Sequence, residues 1–479
     1  MAETLRYQFN GGLPTRVLFG LGAARAASLA LGLAGAAVAL YLRAFPALPI
    51  AVLALAGAWT FAPVRGRPAC EWAPPLLRHA WAVLSGTRTW HAGLAETAPP
   101  ATGGRLGLKL PAELAGLSLW SSAIGAVEGG VAVERRPGGV SLTLVYSVSG
   151  LDHFGLLDEA EQSRLVGLWG DVLSTMGPAD GLRRLCWVER AMPDPGGSGL
   201  AWMSARWAKG SEEARADYRR LVEAVGVSST IHGIHVGAQV EIATRKVPDA
   251  LAQAGPTWRA LATRLSAAGL VATPLSPVQL GLVIRAHYGL APVRVDPKAA
   301  GAASLRPQSR RVAWDHLRAD DSLHRAFLVS AWPRVSVGPS WLAPLLLAAP
   351  AGSARTVAVH LEAVDPAVAQ RKARAARLGA AMDETQRTRW GFVTGAAHIR
   401  GRDEAEARDD ELVSGFAQHR VAAVVVVSGD DPKALDGGCR EVRAAAGAAR
   451  IDLRPLHGDH AEAVAAALPL CRLRFGGEA

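Results

Sequence analysis

His232 and His235 in IHGIHVG, and His457, Asp459 and His460 in HGDH, come nearest in this chain to a metal-ligand pattern. A strand turns successive side chains to opposite faces, so two histidines three apart diverge and do not share one ion. The HGDH group reads as a turn, and no third and fourth ligand of tetrahedral spacing accompanies it. The acidic run DEAEARDDE at 403–411 could hold a hard cation, but its interleaved arginine makes it a solvated helix face. The glycine-rich spots GGLPTRVLFGLG, GGSG and DGGC lack the lysine and the strand-to-helix setting of a phosphate cradle. No G-x-S-x-G elbow and no H-E-x-x-H occurs. Cys70, Cys186, Cys439 and Cys471 are widely spaced and form no C-x-x-C. The residues therefore predict no catalytic, cofactor-binding or metal-binding set. One basic run, QRKARAAR at 370–377, could meet DNA, lipid or an acidic partner. Its Arg371, Lys372, Arg374 and Arg377 are candidate partner-binding residues, weighed against a plain exposed helix face.

Elements must hold these groups, and the first of them are apolar. Ala26 to Leu42 and Ala47 to Val64 carry no charged residue and are separated only by Arg43, Ala44, Phe45 and Pro46. Crossing a hydrocarbon core takes roughly 20 apolar residues, so residues 26–64 are expected to form a transmembrane hairpin. Ser28, Gly32 and Ala36 lie four apart and give a smooth helix-packing stripe. Arg25, Tyr41, Trp59, Arg65 and Arg67 are expected at the membrane interfaces. Arginines flank both ends of the hairpin, which predicts cytoplasmic termini, two spans in the plasma membrane and a large cytosolic body.

The formal net charge is +10, carried almost wholly by arginine, since lysine occurs only at 109, 209, 246, 298, 372 and 433. Heavy use of Ala, Arg, Gly and Pro points to a GC-rich bacterial genome. That makes the basic balance a weak argument for nucleic acid, and direct nucleic-acid binding is not expected. Membrane lipid is an expected partner of the arginines beside the hairpin.

The chain divides into a cytosolic N-terminal segment (1–25), the hairpin (26–64), a juxtamembrane amphipathic segment (65–94) and a linker (95–105). A first α/β unit (106–300) and a second (301–479) follow. In the first unit, Val131–Arg136 and Val140–Val148 read as strands joined by Pro137-Gly138-Gly139, a hairpin signal. Helical spacing over Asp158–Met176 and Pro248–Ala268 alternates with strands at Leu182–Arg190 and Ser229–Arg245. The second unit places strands at Arg325–Trp332, Thr356–Val364, Val421–Ser428 and Ile451–Leu456. Its helices are expected from Ala367, Glu404, Pro432 and His460. The fold class predicted is α/β (α+β), with two mixed-sheet sandwich units.

The hairpin followed by RPACEWAPPLLRHAW resembles actinobacterial two-helix membrane proteins of conjugation and type IV secretion-like loci, with a PrgI-like hairpin. The body resembles the non-catalytic N-terminal domain of VirB-type traffic ATPases. The residues that carry this are FLVSAWPRVSVGPSWLAPLLL (327–347), RTVAVHLEAVDPAVAQRKARAAR (355–377), DDELVSGFAQHRVAAVVVVSGDDPKAL (409–435) and LPL (468–470). In such ATPases a comparable LPL leads into the motor domain, which this chain is expected to lack. The resemblance implies a non-enzymatic inner-membrane scaffold that docks a separately encoded traffic ATPase and other secretion-channel subunits. Two alternatives stay open. One is an EccE-like component of a type VII protein secretion system, and the other is a membrane-associated transferase.

Overall fold

The computed structural model describes residues 23–473 apart from 43–44, 46, 65–66, 94–103, 125–126, 151–153, 175, 177–180, 195–199, 201–202, 205–210, 227–229, 291–300, 334, 349–351, 366, 372, 376–377 and 379–417. The N-terminal segment before residue 23, most of the expected linker, the acidic run at 403–411 and the helix from Glu404 lie outside the described residues.

Two helices open the described chain, α1 (Ala23–Tyr41) and α2 (Ala47–Phe61). Their lengths of 19 and 15 residues, at about 1.5 Å per residue, give about 28 and 22 Å. The second apolar run does not stay helical to Val64, because Pro63–Val64 (β1) turns back to pair with Arg67–Pro68 (β2). Helix α1 begins before the first apolar run and includes Arg25, whose guanidinium lies 3.3 Å from Glu71. Among the described residues no helix is long and apolar enough to cross a membrane. This corrects the two-span topology and the orientation drawn from it. The helices instead pack on each other. Gly32 lies so close to α2 that a Cβ there would collide with the Ala56 methyl, and the Ser28 and Thr60 hydroxyls share a hydrogen bond of 2.5 Å.

A 3-10 turn (Ala69–Trp72) leads into α3 (Ala73–Leu84), begun by prolines at its first turn. The body then builds one sheet from β3 (Thr89–His91), β4 (Arg105–Leu106), β5 (Leu117–Ile124), β6 (Val127–Arg136), β7 (Gly139–Ser149), β8 (Leu182–Pro193), β9 (Thr230–Ile242), β10 (Val271–Pro274), β11 (Ser309–Val312), β12 (Leu317–Ala319), β13 (Ser322–Ala331), β14 (Ser353–Ala363), β15 (His419–Gly429) and β16 (Asp452–Pro455). The strand order is β3-β11-β12-β13-β15-β14-β8-β9-β7-β6-β5-β4, with β10 added to β7 and β16 to β13. Each described pairing is antiparallel, not mixed, and the sheet runs unbroken across the expected unit boundary at residue 300.

The helices of the body are α4 (Glu159–Ser174), α5 (Glu212–Gly226), α6 (Val247–Ala267), α7 (Pro277–His287), α8 (Ala343–Leu346), α9 (Pro432–Ala448) and α10 (His460–Ala466). They cover both faces of the sheet. On one face α6 buries Ala250, Leu251, Ala254, Trp258, Leu261 and Leu265 against Leu142, Leu144 and Tyr146, and α9 does the same over Phe327 and Val357. On the other face α7, α10 and the segment after α10 pack over Val145, Val188, Ala358 and Val424.

The second half of the body repeats the first. Strand β7 pairs with β6, β9 and β10; β13 pairs with β12, β15 and β16. Both α6 and α9 end on a left-handed residue, Gly269 and Arg450. In both, the next N–H closes the helix end, Leu270 to Leu265 O and Ile451 to Ala446 O. Pro274 then faces Tyr146 as Pro455 faces Phe327. The two halves meet where β8 pairs with β14, and Val188 opposite Ala358 marks the centre of the repeat.

Residues 468–472 run across the first half after α10. Thr143 donates to Leu470 O at 3.4 Å and Arg184 to Cys471 O at 2.9 Å. A Cβ on Gly237 would strike the Pro469 carbonyl. Gly237→Ala is therefore expected to lower stability by about 1–3 kcal/mol, as over-packing does, measured as a shifted urea midpoint with an unchanged slope.

Candidate functional site

The β8–β14 seam gathers the chemistry-bearing side chains of the interior. Alternation along β8 sends Glu189 to one face and Arg190 to the other. On the α8 side, Glu189 accepts from Arg355 at 2.8 Å and from His232 at 2.7 Å. Arg355 also donates to the carbonyls of Leu345 and Leu346. It is fully buried, so this ring of acceptors is what keeps its charge tolerable. Burial still lowers its pKa, against the pull of Glu189.

On the α7 side, Arg190 donates to Thr356 Oγ1 at 2.8 Å and to Gly289 O. Its mate in the repeat is His360, which donates to Ala466 O at 2.8 Å and lies 3.7 Å from Cys186 Sγ. Ala466 is the last residue of α10, where intrahelical donors have run out, and Gly289 lies two residues beyond α7. His235 and His287 stand 6.5 Å apart by ring centroid, edge to face. His324 shares a hydrogen bond with Ser428 Oγ at 2.8 Å. Tyr288 donates to Glu113 at 3.0 Å, and Glu113 lies 3.1 Å from Arg310.

Burial, in every case the largest cause, holds these histidines neutral. His235 is pushed down to about 4, His324 to about 3, His360 to about 4 and His460 to about 3, and His287 falls well below its ordinary value. The positive charge of Arg190 adds to the effect on His287 and His324. Burial lowers Arg190 itself to about 10, so it remains a cation at neutral pH. The Cys186 and Cys471 thiols are pushed up by burial, Cys471 to about 12, and are poor nucleophiles. These groups can cross-brace a sheet. Among the described residues no group of three His, Cys, Asp or Glu is placed to hold a metal ion.

The two histidine motifs part as strand geometry requires. His232 joins Glu189 on one face, and buried His235 faces His287 on the other. The HGDH turn is a joint. His457 stacks on Trp314 at 6.0 Å and meets Trp72 at 5.8 Å, and His79 of α3 packs edge-on against Trp314. Arg78 donates to Asp459 at 3.0 Å, and His460 accepts the N–H of Ala326 at 3.1 Å. Ser28, Gly32 and Ala36 lie on the α1–α2 contact. Tyr41 and Trp59 are exposed, and Arg25 pairs with Glu71. Arg65 and the side chain of Arg67 lie outside the described residues, as do Lys372 and Arg377, while Arg371 and Arg374 are exposed on the helix that follows β14.

Sequence reasoning missed the buried arginines and Glu189 altogether. The only available signal was charge inside otherwise apolar strands, LCWVERAM and ARTVAVHLE. Comparison of this chain with protein-family models and with curated proteins finds no match.

The neutral histidines set a pH dependence. Their folded values lie below 6.5, so the native state binds fewer protons than the unfolded chain as acid is added. Stability is full above about pH 6.5 and falls on acidification towards pH 4, each histidine adding up to about 1.4 kcal/mol per pH unit. Glu113, raised by burial against the pull of Arg310, acts in the opposite sense. As one group against five, it leaves the sign unchanged. Urea midpoints measured from pH 7 to 4 should fall steeply, and a flat profile would contradict a neutral-histidine interior.

Proposed function

We propose that this chain is a non-catalytic docking scaffold of a type IV secretion-like or conjugative transfer apparatus, holding a separately encoded motor ATPase. One observation carries the reading: a large apolar arm stands away from the body on a rigid joint. The outer faces of α1 and α2 expose Leu31, Leu33, Leu40, Ile50, Leu55 and Phe61, and α3 exposes Leu77, Trp81 and Leu84 at helical spacing. A contiguous exposed apolar surface of this kind marks an interaction site. The arm cannot swing freely, because Trp72 and His79 are packed with Trp314 and His457, and Arg78 holds Asp459. A helical stripe of i, i+4 and i+7 anchors on a fixed mount suits a groove in a protein partner.

The test is reconstitution with a hexameric traffic ATPase of the type IV secretion kind. The full chain is expected to co-elute with it and to change its turnover. Leu77→Asp combined with Trp81→Asp should weaken the complex at least about tenfold, equivalent to 1.4 kcal/mol. The absence of both co-elution and altered turnover would reject the scaffold.

A further inference from the structure

Strand register sets the ends of six neighbouring strands side by side, in the order β6-β7-β9-β8-β14-β15. Arg136 pairs with Gly139, Ser141 with Glu241, Leu182 with Val240, Arg184 with Glu362, and Glu362 with Arg420. At about 4.8 Å between strands the rim is roughly 24 Å wide. It carries exposed Arg135 and Arg136 from β6, Arg183 from β8, Arg245 and Lys246 just past β9, and Arg420 from β15. The helical residues 367–371 and 373–375, which follow β14 at this end, add exposed Arg371 and Arg374. At the other end of the strands stand Asp320 and Asp321, before β13, and Asp430 and Asp431, after β15. Asp320 is paired there with Arg285 at 3.0 Å, and Asp321, Asp430 and Asp431 leave the β13–β15 corner of that end acidic, opposite the basic rim.

Glu362 shows what the basic rim binds. Its carboxylate lies 3.0 Å from Arg183, 3.0 Å from Arg184 and 3.7 Å from Arg420. The Glu362 side chain is 16% exposed and that of Arg184 is 17%, whereas Arg183 and Arg420 are 46% and 43% exposed. Three guanidinium forks on one carboxylate leave two of them with unsaturated donors facing solvent. Such forks match planar carboxylates two bonds at a time. Burial would raise the Glu362 carboxyl, yet Arg184, Arg183 and Arg420 together hold it below its ordinary value.

We propose that this rim docks an acidic segment of a partner protein, whose Asp or Glu side chains bridge Arg183 and Arg420 beside Glu362. A nucleic-acid backbone fits less well. Its unbroken phosphates would run past Glu241, Glu362 and Asp365, whereas separate carboxylates can settle between those fixed negative charges. Long-range attraction to the rim would also orient the encounter, with the acidic end of the sheet turned away. The identity of the partner rests on the scaffold reading; the charge it must carry does not.

Fluorescence anisotropy on the full chain tests the rim directly. The probes are a labelled peptide of alternating Glu and Gly and a DNA duplex of equal formal charge, both at low salt. The peptide is expected to bind, to weaken as salt is raised, and to lose at least about tenfold in affinity in the Arg183→Glu, Arg420→Glu variant. Arg318→Glu, an exposed change at the acidic end, should bind the peptide as the parent does. Circular dichroism melts confirm that both variants fold. Absence of peptide binding, an unchanged affinity in the double variant, or tighter binding of the duplex would overturn the proposal. Peptide binding without any association with the motor ATPase would uphold the rim and reject the scaffold.

Discussion

The pairing of β8 with β14 is the contact on which the other arrangements rest. It runs from Arg355 opposite Ala191 to Glu362 opposite Arg184, and Val188 and Ala358 at its centre are fully buried. Each half supplies one of the two strands. Parted, each would present a long apolar edge with unpaired N–H and C=O groups, the feature that drives sheets to associate indiscriminately. Joined, they make the two edges satisfy each other within one chain. The symmetry of the repeat follows from that choice. Two equivalent edges in antiparallel register can meet only about a local two-fold, which is why Arg190 opposite Thr356 finds its counterpart in His360 opposite Cys186.

Polar groups at this seam then have a mechanical reason to exist. Each half ends its strand order with a helix, α7 or α10, whose last carbonyls lack partners within the helix. Ala466 at the end of α10 is buried over the seam and Gly289, two residues past α7, is half-buried there; an unpaired buried carbonyl costs on the order of 1–3 kcal/mol. Arg190 takes Gly289 O and His360 takes Ala466 O. A cation or a ring N–H at a helix C-terminus also meets the negative end of the helix dipole. The two repeats solve one problem with different side chains. The arginine stays charged, and the histidine stays neutral because burial outweighs the carbonyl's pull.

Local order was legible in the sequence and long-range pairing was not. Pro137-Gly138-Gly139 announced the β6–β7 hairpin, and helical spacing placed α4, α6 and α9 within a few residues. These signals depend on neighbours in the chain. The single sheet depends on β8 meeting β14 across more than a hundred residues, for which no local pattern exists. The same limit hid the basic rim. Arg183 and Arg420 are brought together only by β14 lying between their strands. The apolar hairpin was misread for a related reason. Composition shows that Ala47 to Val64 is uncharged, but the helix is cut short by Pro63 pairing with Pro68, a partner beyond the apolar run.

The rim and the interior are mechanically one object. Arg184 donates to Cys471 O with one nitrogen and lies 3.0 Å from Glu362 with the other. Arg472, next along the same segment, lies 3.4 Å from Glu134, which in turn meets Arg136. The segment after α10 therefore fixes two of the rim's own carboxylates. Arg184 lies 3.0 Å from Glu362 Oε2, which Arg420 approaches only to 3.7 Å, while Arg183 lies 3.0 Å from Oε1. A charged patch built on strand ends and tied to a buried segment keeps its spacing better than one carried on loops. The segment after α10, by holding Arg184 through Cys471 O, thus fixes the carboxylate that Arg183 and Arg420 both approach.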